Sequence, residues 1–155
     1  MFDYKIQFSW IGLVVFMIPM VINVFYVIFP PANVQGETPT SNKIWEYIEQ
    51  GSRILYAVCI CGLVSIRAVR VKSPLFFLAL VFITLYYIVW IRYFAGGRDV
   101  ALLGRSFLFV PMPLAVFPVL YYLFAALWMH NYIAAVVMVI FGISHNVVSY
   151  ASLKG

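Results

Sequence analysis

Charge is what this chain has least of. Lys and Arg number 10 and Asp and Glu 5, together 10% of 155 residues, where soluble domains carry about 25%. The hydrophobic share is 65%, against about 45–50% in ordinary globular proteins. A disordered chain and a cytosolic enzyme are excluded on those grounds. Cysteine is scarce too. Cys59 and Cys61 stand one residue apart, which on a helix turns them about 200° from each other. They cannot pair, and they do not form C-x-x-C, so a disulfide scaffold and a thioredoxin-like redox site are excluded. Both read as small apolar packing residues.

Histidine is nearly absent, with His130 and His145 alone. They fall on opposite sides of the bundle derived below, so no metal site and no cofactor are expected. The net charge of +5 comes from residues scattered among short loops. No basic stripe exists of the kind nucleic acid requires, and nucleic acid is excluded as a partner. No phosphate loop, H-E-x-x-H or other motif of known mechanics occurs, and no catalytic residue is assigned.

What is abundant is long apolar sequence rich in rings: 14 Phe, 11 Tyr and 4 Trp. A helix crossing a bilayer needs about 20 such residues. The pattern predicts an all-α integral membrane bundle of five transmembrane helices in a single domain, with spans of about 6–29, 43–66, 75–94, 107–128 and 132–153. The first run, Ile6–Phe29, exceeds a signal-peptide core of about 7–15 residues and reads as a retained span. Pro19 predicts a kink in it, and Pro30-Pro31 end it. Ser41 or Asn42 is the expected N-cap of span 2. The charge-free part of span 2, Ile54–Ile66, has only 13 residues, about 20 Å of helix against a core of about 30 Å. The helix therefore draws in Lys43–Arg53, where Glu46, Glu49, Gln50 and Arg53 share one face. Pro111, Pro113 and Pro118 predict a bent or broken start to span 4.

Five spans put the N-terminus on one side, A, and the 1–2 loop, the 3–4 loop and the C-terminus on the other, B. Sorted by depth, the unusual residues gather toward B. They are Asn23, Glu46, Glu49, Gln50, Arg53, Tyr86, Trp90, Arg92, Arg98, Asp99, Arg105, His145 and Asn146. Ionisable groups inside a span are costly in lipid and face a bundle interior or a watery cavity. They predict a polar, aromatic-walled pocket open to side B, with Arg sites for a carboxylate or phosphate. The loop Ala95–Ser106 is expected over its mouth as a lid. Plainer roles compete: a solvated first turn at Glu46, Glu49 and Arg53, headgroup snorkelling for Arg92, and packing for His145. Trp10, Trp45, Trp128 and Tyr132 fit an interfacial aromatic belt.

Side A carries Lys5, Arg67, Arg70 and Lys72, while Lys43, Arg53, Arg92, Arg98, Arg105 and Lys154 lie toward B. Discounting Arg53 and Arg92 as pocket residues equalises the two. The dense cluster at 67–72 then favours side A in the cytoplasm, with the pocket facing outward.

In size, span number and aromatic content the chain resembles the translocator and tryptophan-rich sensory proteins. That resemblance implies a ligand of porphyrin or sterol type. Pro30-Pro31 has no neighbouring Trp, and the first loop leads instead into Trp45-Glu46, so no site residue is carried over. The expected function is binding or transport of a small amphipathic or anionic ligand, such as a lipid headgroup, a porphyrin-like ring or an organic acid. The alternatives are a ligand-free accessory subunit and a small integral enzyme acting on a lipid. The expected location is a bacterial inner membrane. The expected partners are the lipid bilayer and, beyond the ligand, a second copy or another membrane protein.

Overall fold

A computed structural model of the chain describes residues 3–33 and 42–154. Ser41, one of the two expected N-caps, lies outside the described residues. The first helix, α1 (Trp10–Ile28), begins where the Ser9 hydroxyl accepts from the Gly12 N–H at 2.9 Å. It starts four residues later than the predicted span, because the chain before it is extended. Tyr4–Ile6 forms strand β1, paired antiparallel with β2 (Leu63–Ser65) in the register Tyr4↔Ser65, Lys5↔Val64, Ile6↔Leu63.

The same pairing shortens α2 (Lys43–Gly62) relative to the predicted span ending at 66. A helix leaves its last carbonyls without partners, and here the N-terminal segment supplies them. The Gln7 N–H donates to Gly62 O at 3.1 Å and the Ser9 N–H to Cys61 O at 2.8 Å. Asn131 completes the set. Its side-chain amide donates to Cys59 O and Leu63 O, both at 2.9 Å, while its Oδ1 accepts from the Ala134 N–H. Asn42 caps the other end of α2, accepting from the Ile44 N–H at 3.0 Å.

Helix α3 (Pro74–Ala95) starts on Ser73-Pro74 as expected. A single turn, α4 (Ala101–Gly104), interrupts the following loop. The fourth long helix, α5 (Pro113–Trp128), corrects the predicted span, which began at Phe107. Phe107 and Val110 instead bond to each other's backbone across a tight turn, with Leu108 and Phe109 at positive φ. Pro111 and Pro113 supply no N–H, so a helix cannot propagate through them. The last helix is α6 (Tyr132–Lys154).

The chain is thus mostly helical. Among the described residues three helices, α1, α3 and the stretch Tyr132–Leu153 of α6, are long and apolar enough to cross a membrane. Helix α5 is apolar but has 16 residues, about 24 Å of rise. Helix α2 is long enough but carries charge along its first half.

The most extensive packing is between α3 and α5, α2 and α6, and α5 and α6, giving a layer in the order α3, α5, α6, α2. Neighbours in it run antiparallel: Phe76 meets Trp128 and Phe82 meets Phe124 between α3 and α5. Helix α1 crosses this layer diagonally. Near its start Gly12 lies so close to Ile60 of α2 that a Cβ there would sit 1.9 Å from the Ile60 carbonyl oxygen. Next, Val15 O and Phe16 O accept from the hydroxyls of Tyr121 and Tyr122 on α5. Farther on, Ile18 O accepts from Tyr87 and Asn23 Oδ1 from Tyr86, both on α3. Pro19 is buried inside α1 and has no N–H for Val15 O. The Tyr121 hydroxyl at 2.9 Å fills that vacancy.

Candidate functional site

The antiparallel register of α2 and α6 sets Glu49 opposite His145. Among the described residues Glu49 is the one charged residue that is buried. Its Oε1 accepts from Arg53 at 2.8 Å and lies 2.8 Å from His145 Nδ1. Glu49 and Arg53 are one turn apart, in the order that favours an acid–base pair on a helix. An oxygen already accepting from Arg53 is an acceptor for His145 as well, so Nδ1 carries the hydrogen. Nε2 makes no hydrogen bond with the described residues. The Phe141 ring stacks on the imidazole at 5.0 Å and 14° between planes, and the Arg53 guanidinium lies 5.5 Å from the same ring. Phe141 is one turn before His145, so α6 itself supplies the surface on which the imidazole is held.

Glu49 and His145 form part of the wall of a cleft of about 360 Å³ between α2, α5, α6 and the loop after α3. Ser149 and Ser152 add hydroxyls to it, and Leu103, Met112, Leu114, Ala115, Val148 and Leu153 make the rest apolar. Ser149 lies one turn beyond His145, and its hydroxyl makes no hydrogen bond with the described residues. The Ser152 hydroxyl is turned back to Val148 O at 3.0 Å. A carboxylate-held imidazole can accept and return a proton. Beside apolar walls it can also fix the polar end of an amphipathic molecule.

The other expected site residues fall into separate groups. Arg92 is spent on backbone. It donates to Leu102 O, Arg105 O and Ser106 O at 3.3, 2.8 and 3.2 Å and rests over the Phe107 ring. Arg98 donates to Pro30 O, and Asp99 accepts from Asn33 at 2.9 Å and from the Ala101 N–H at 2.9 Å. Those two acceptor contacts hold the Asp99 carboxyl below its ordinary value, the Asn33 bond contributing most. The loop Ala95–Ser106 is therefore fastened to α1's end and to α3, and it contributes Leu103 to the cleft wall. Trp90 is buried among Tyr26, Tyr93 and Phe94. Tyr86 and Asn23 bond each other at 2.9 Å in the α1–α3 contact. Asn146 bonds back to Gly142 O at 2.7 Å. Glu46, Gln50 and Arg105 are exposed. None of these residues lines the cleft.

Asn131 is fully buried and ties the start of α6 to the end of α2. Its place just before the apolar run of α6 is an N-cap signature. Nothing local indicated that it also reaches α2. Among the described residues no three His, Cys, Asp or Glu side chains come together as metal ligands. Comparison with protein-family models, curated proteins and solved structures gives no match.

Proposed function

We propose that this chain is a membrane protein whose five long helices all cross the bilayer, and that it binds a small amphipathic molecule in the cleft beside His145. One observation carries the reading. A buried carboxylate orients an imidazole whose second nitrogen is uncommitted, on the wall of an otherwise largely apolar cleft. Charged groups at bilayer depth mark functional sites by default. The ligand's apolar part lies along Leu103, Met112, Leu114 and Leu153, and its polar head meets His145 and Ser149. Arg92 and Arg98 are committed to carbonyls, so the head is a hydrogen-bonding group and not one gripped by an arginine fork.

Native mass spectrometry after mild extraction tests this. Wild type and Asn146→Ala retain a bound small molecule. Ser149→Phe, which fills the cleft, and His145→Ala both lose it while staying folded. Equal retention in all four, or none in wild type, refutes the reading. In a bacterial inner membrane with side A inside, a cytoplasmic reporter fused to the C-terminus stays inactive. An active one reverses the orientation.

A second reading, an integral enzyme acting on a lipid, is favoured by the same Glu49–His145 contact, which has the form of an oriented general base. Lipid turnover by the purified protein, lost in Glu49→Gln, selects it over simple binding.

A further inference from the structure

The diagonal path of α1 leaves a second, different opening. Near its start Gly12 lies against Ile60 of α2, and farther along Ile18 O accepts from Tyr87 of α3. Between these points a groove of about 340 Å³ opens at the A end. One wall is Trp10, Ile11, Val14 and Ile18 of α1, and the other is Phe76, Leu80 and Ile83 of α3. Small buried residues, Ala79 and Ala125, keep the floor deep. The lining is almost wholly apolar. From Trp10 to Ile18 it runs about 12 Å along the helix, the reach of half an acyl chain.

Trp128 closes the A end, and its indole N–H donates to Arg70 O at 2.9 Å. This contact brings the connector before α3 to the groove's mouth. Arg70 and Lys72 are exposed there, and neither has an ion-pair or hydrogen-bond partner for its side chain among the described residues. An apolar groove in a bilayer gains nothing from hydrophobicity, because lipid tails are as apolar as its walls. Choice between lipids has to come from the head, and juxtamembrane cations select anionic ones.

We propose that this groove seats an acyl chain of an anionic phospholipid whose phosphate lies at Arg70 and Lys72. The inference rests on the chain lying in a bilayer and is independent of the cleft at the B end. Two features, a fitted tail seat and unpaired cations at its mouth, set the site apart from the general lipid-facing surface.

The test uses the full chain in nanodiscs of phosphatidylcholine and phosphatidylglycerol in equal amounts, released and read by native mass spectrometry. Wild type retains phosphatidylglycerol in preference to phosphatidylcholine. Arg70→Gln and Lys72→Gln each lower that preference about five-fold, and raised salt lowers it in wild type. Leu80→Trp, at the exposed rim of the groove, abolishes retention of the tightly held lipid. Ile91→Trp, on the exposed face of α3 outside the groove, leaves it intact. Equal retention of the two lipids by wild type overturns the proposal, as does a preference unmoved by both charge variants or equal losses in the two Trp variants. Loss of the small molecule from the His145 cleft in none of these variants keeps the two sites distinguishable.

Discussion

Tyr121 offers a sharp test of how α1 is held. Pro19 deprives Val15 O of its helical partner, and the Tyr121 hydroxyl replaces it at 2.9 Å in a buried contact. Tyr121→Phe keeps the ring and removes only that donor. An acceptor left unpaired and buried costs about 1–3 kcal/mol in soluble proteins. Side-chain hydrogen bonds within membrane bundles average about 0.6 kcal/mol. A carbonyl at a proline vacancy has no second donor, so the expected loss is about 1–2 kcal/mol, above the membrane average and in the lower part of the soluble range. The control is Pro19→Ala, which restores the missing N–H. In that background Val15 O has its own helical bond, and Tyr121→Phe is expected to cost little. The double-mutant cycle should give a coupling of about 1 kcal/mol or more. Unfolding free energies from titration of mixed micelles with a denaturing detergent, followed by tyrosine and tryptophan fluorescence, measure all four corners. An equal cost of Tyr121→Phe with and without Pro19 refutes the idea that the hydroxyl substitutes for the missing N–H.

Two further outcomes follow from the polar anchors. Asn131→Ala loses the N-cap of α6, about 1 kcal/mol, and two donated bonds of about 1 kcal/mol each. Asn131→Asp keeps the cap but turns a carboxylate toward Cys59 O and Leu63 O, so it should be at least as destabilising, and a stable Asp variant in a thermal unfolding assay refutes the bridging role. At Asp99 the folded carboxyl sits below its ordinary value through Asn33 and the Ala101 N–H. Its contribution to loop anchoring is therefore complete above the ordinary carboxylate range and is lost as pH falls through the lowered value. Hydrogen exchange at Val100 and Ala101, taken relative to the unfolded-chain rate at the same pH, should rise on acidification in wild type. In Asp99→Asn that rise should be absent, and an equal rise in both rules Asp99 out as its source.

Much of the helical skeleton was readable in the sequence because it is local. Ser73-Pro74 opens α3 and Asn42 caps α2, as neighbouring residues dictate, and Pro30-Pro31 follow the end of α1 directly. The errors lay at ends governed by distant partners. Ile6 and Leu63 look like ends of apolar helices, yet they pair as strands although they are far apart in the chain. Phe107–Val110 is apolar enough for a helix, but the prolines after it divert it into a turn.

Apolar content determined, from the sequence alone, a mostly helical chain with helices long and apolar enough to cross a membrane. Which of the polar residues meet was a tertiary decision. Glu49 and His145 stand 96 residues apart and join only because α2 and α6 pack antiparallel in that register. Arg92, Arg98 and Asp99 carry the same kinds of group, but the unpaired carbonyls and amides of the loop ends claim them. Composition makes charge scarce. The demand that buried backbone groups find partners decides which charges remain free to act.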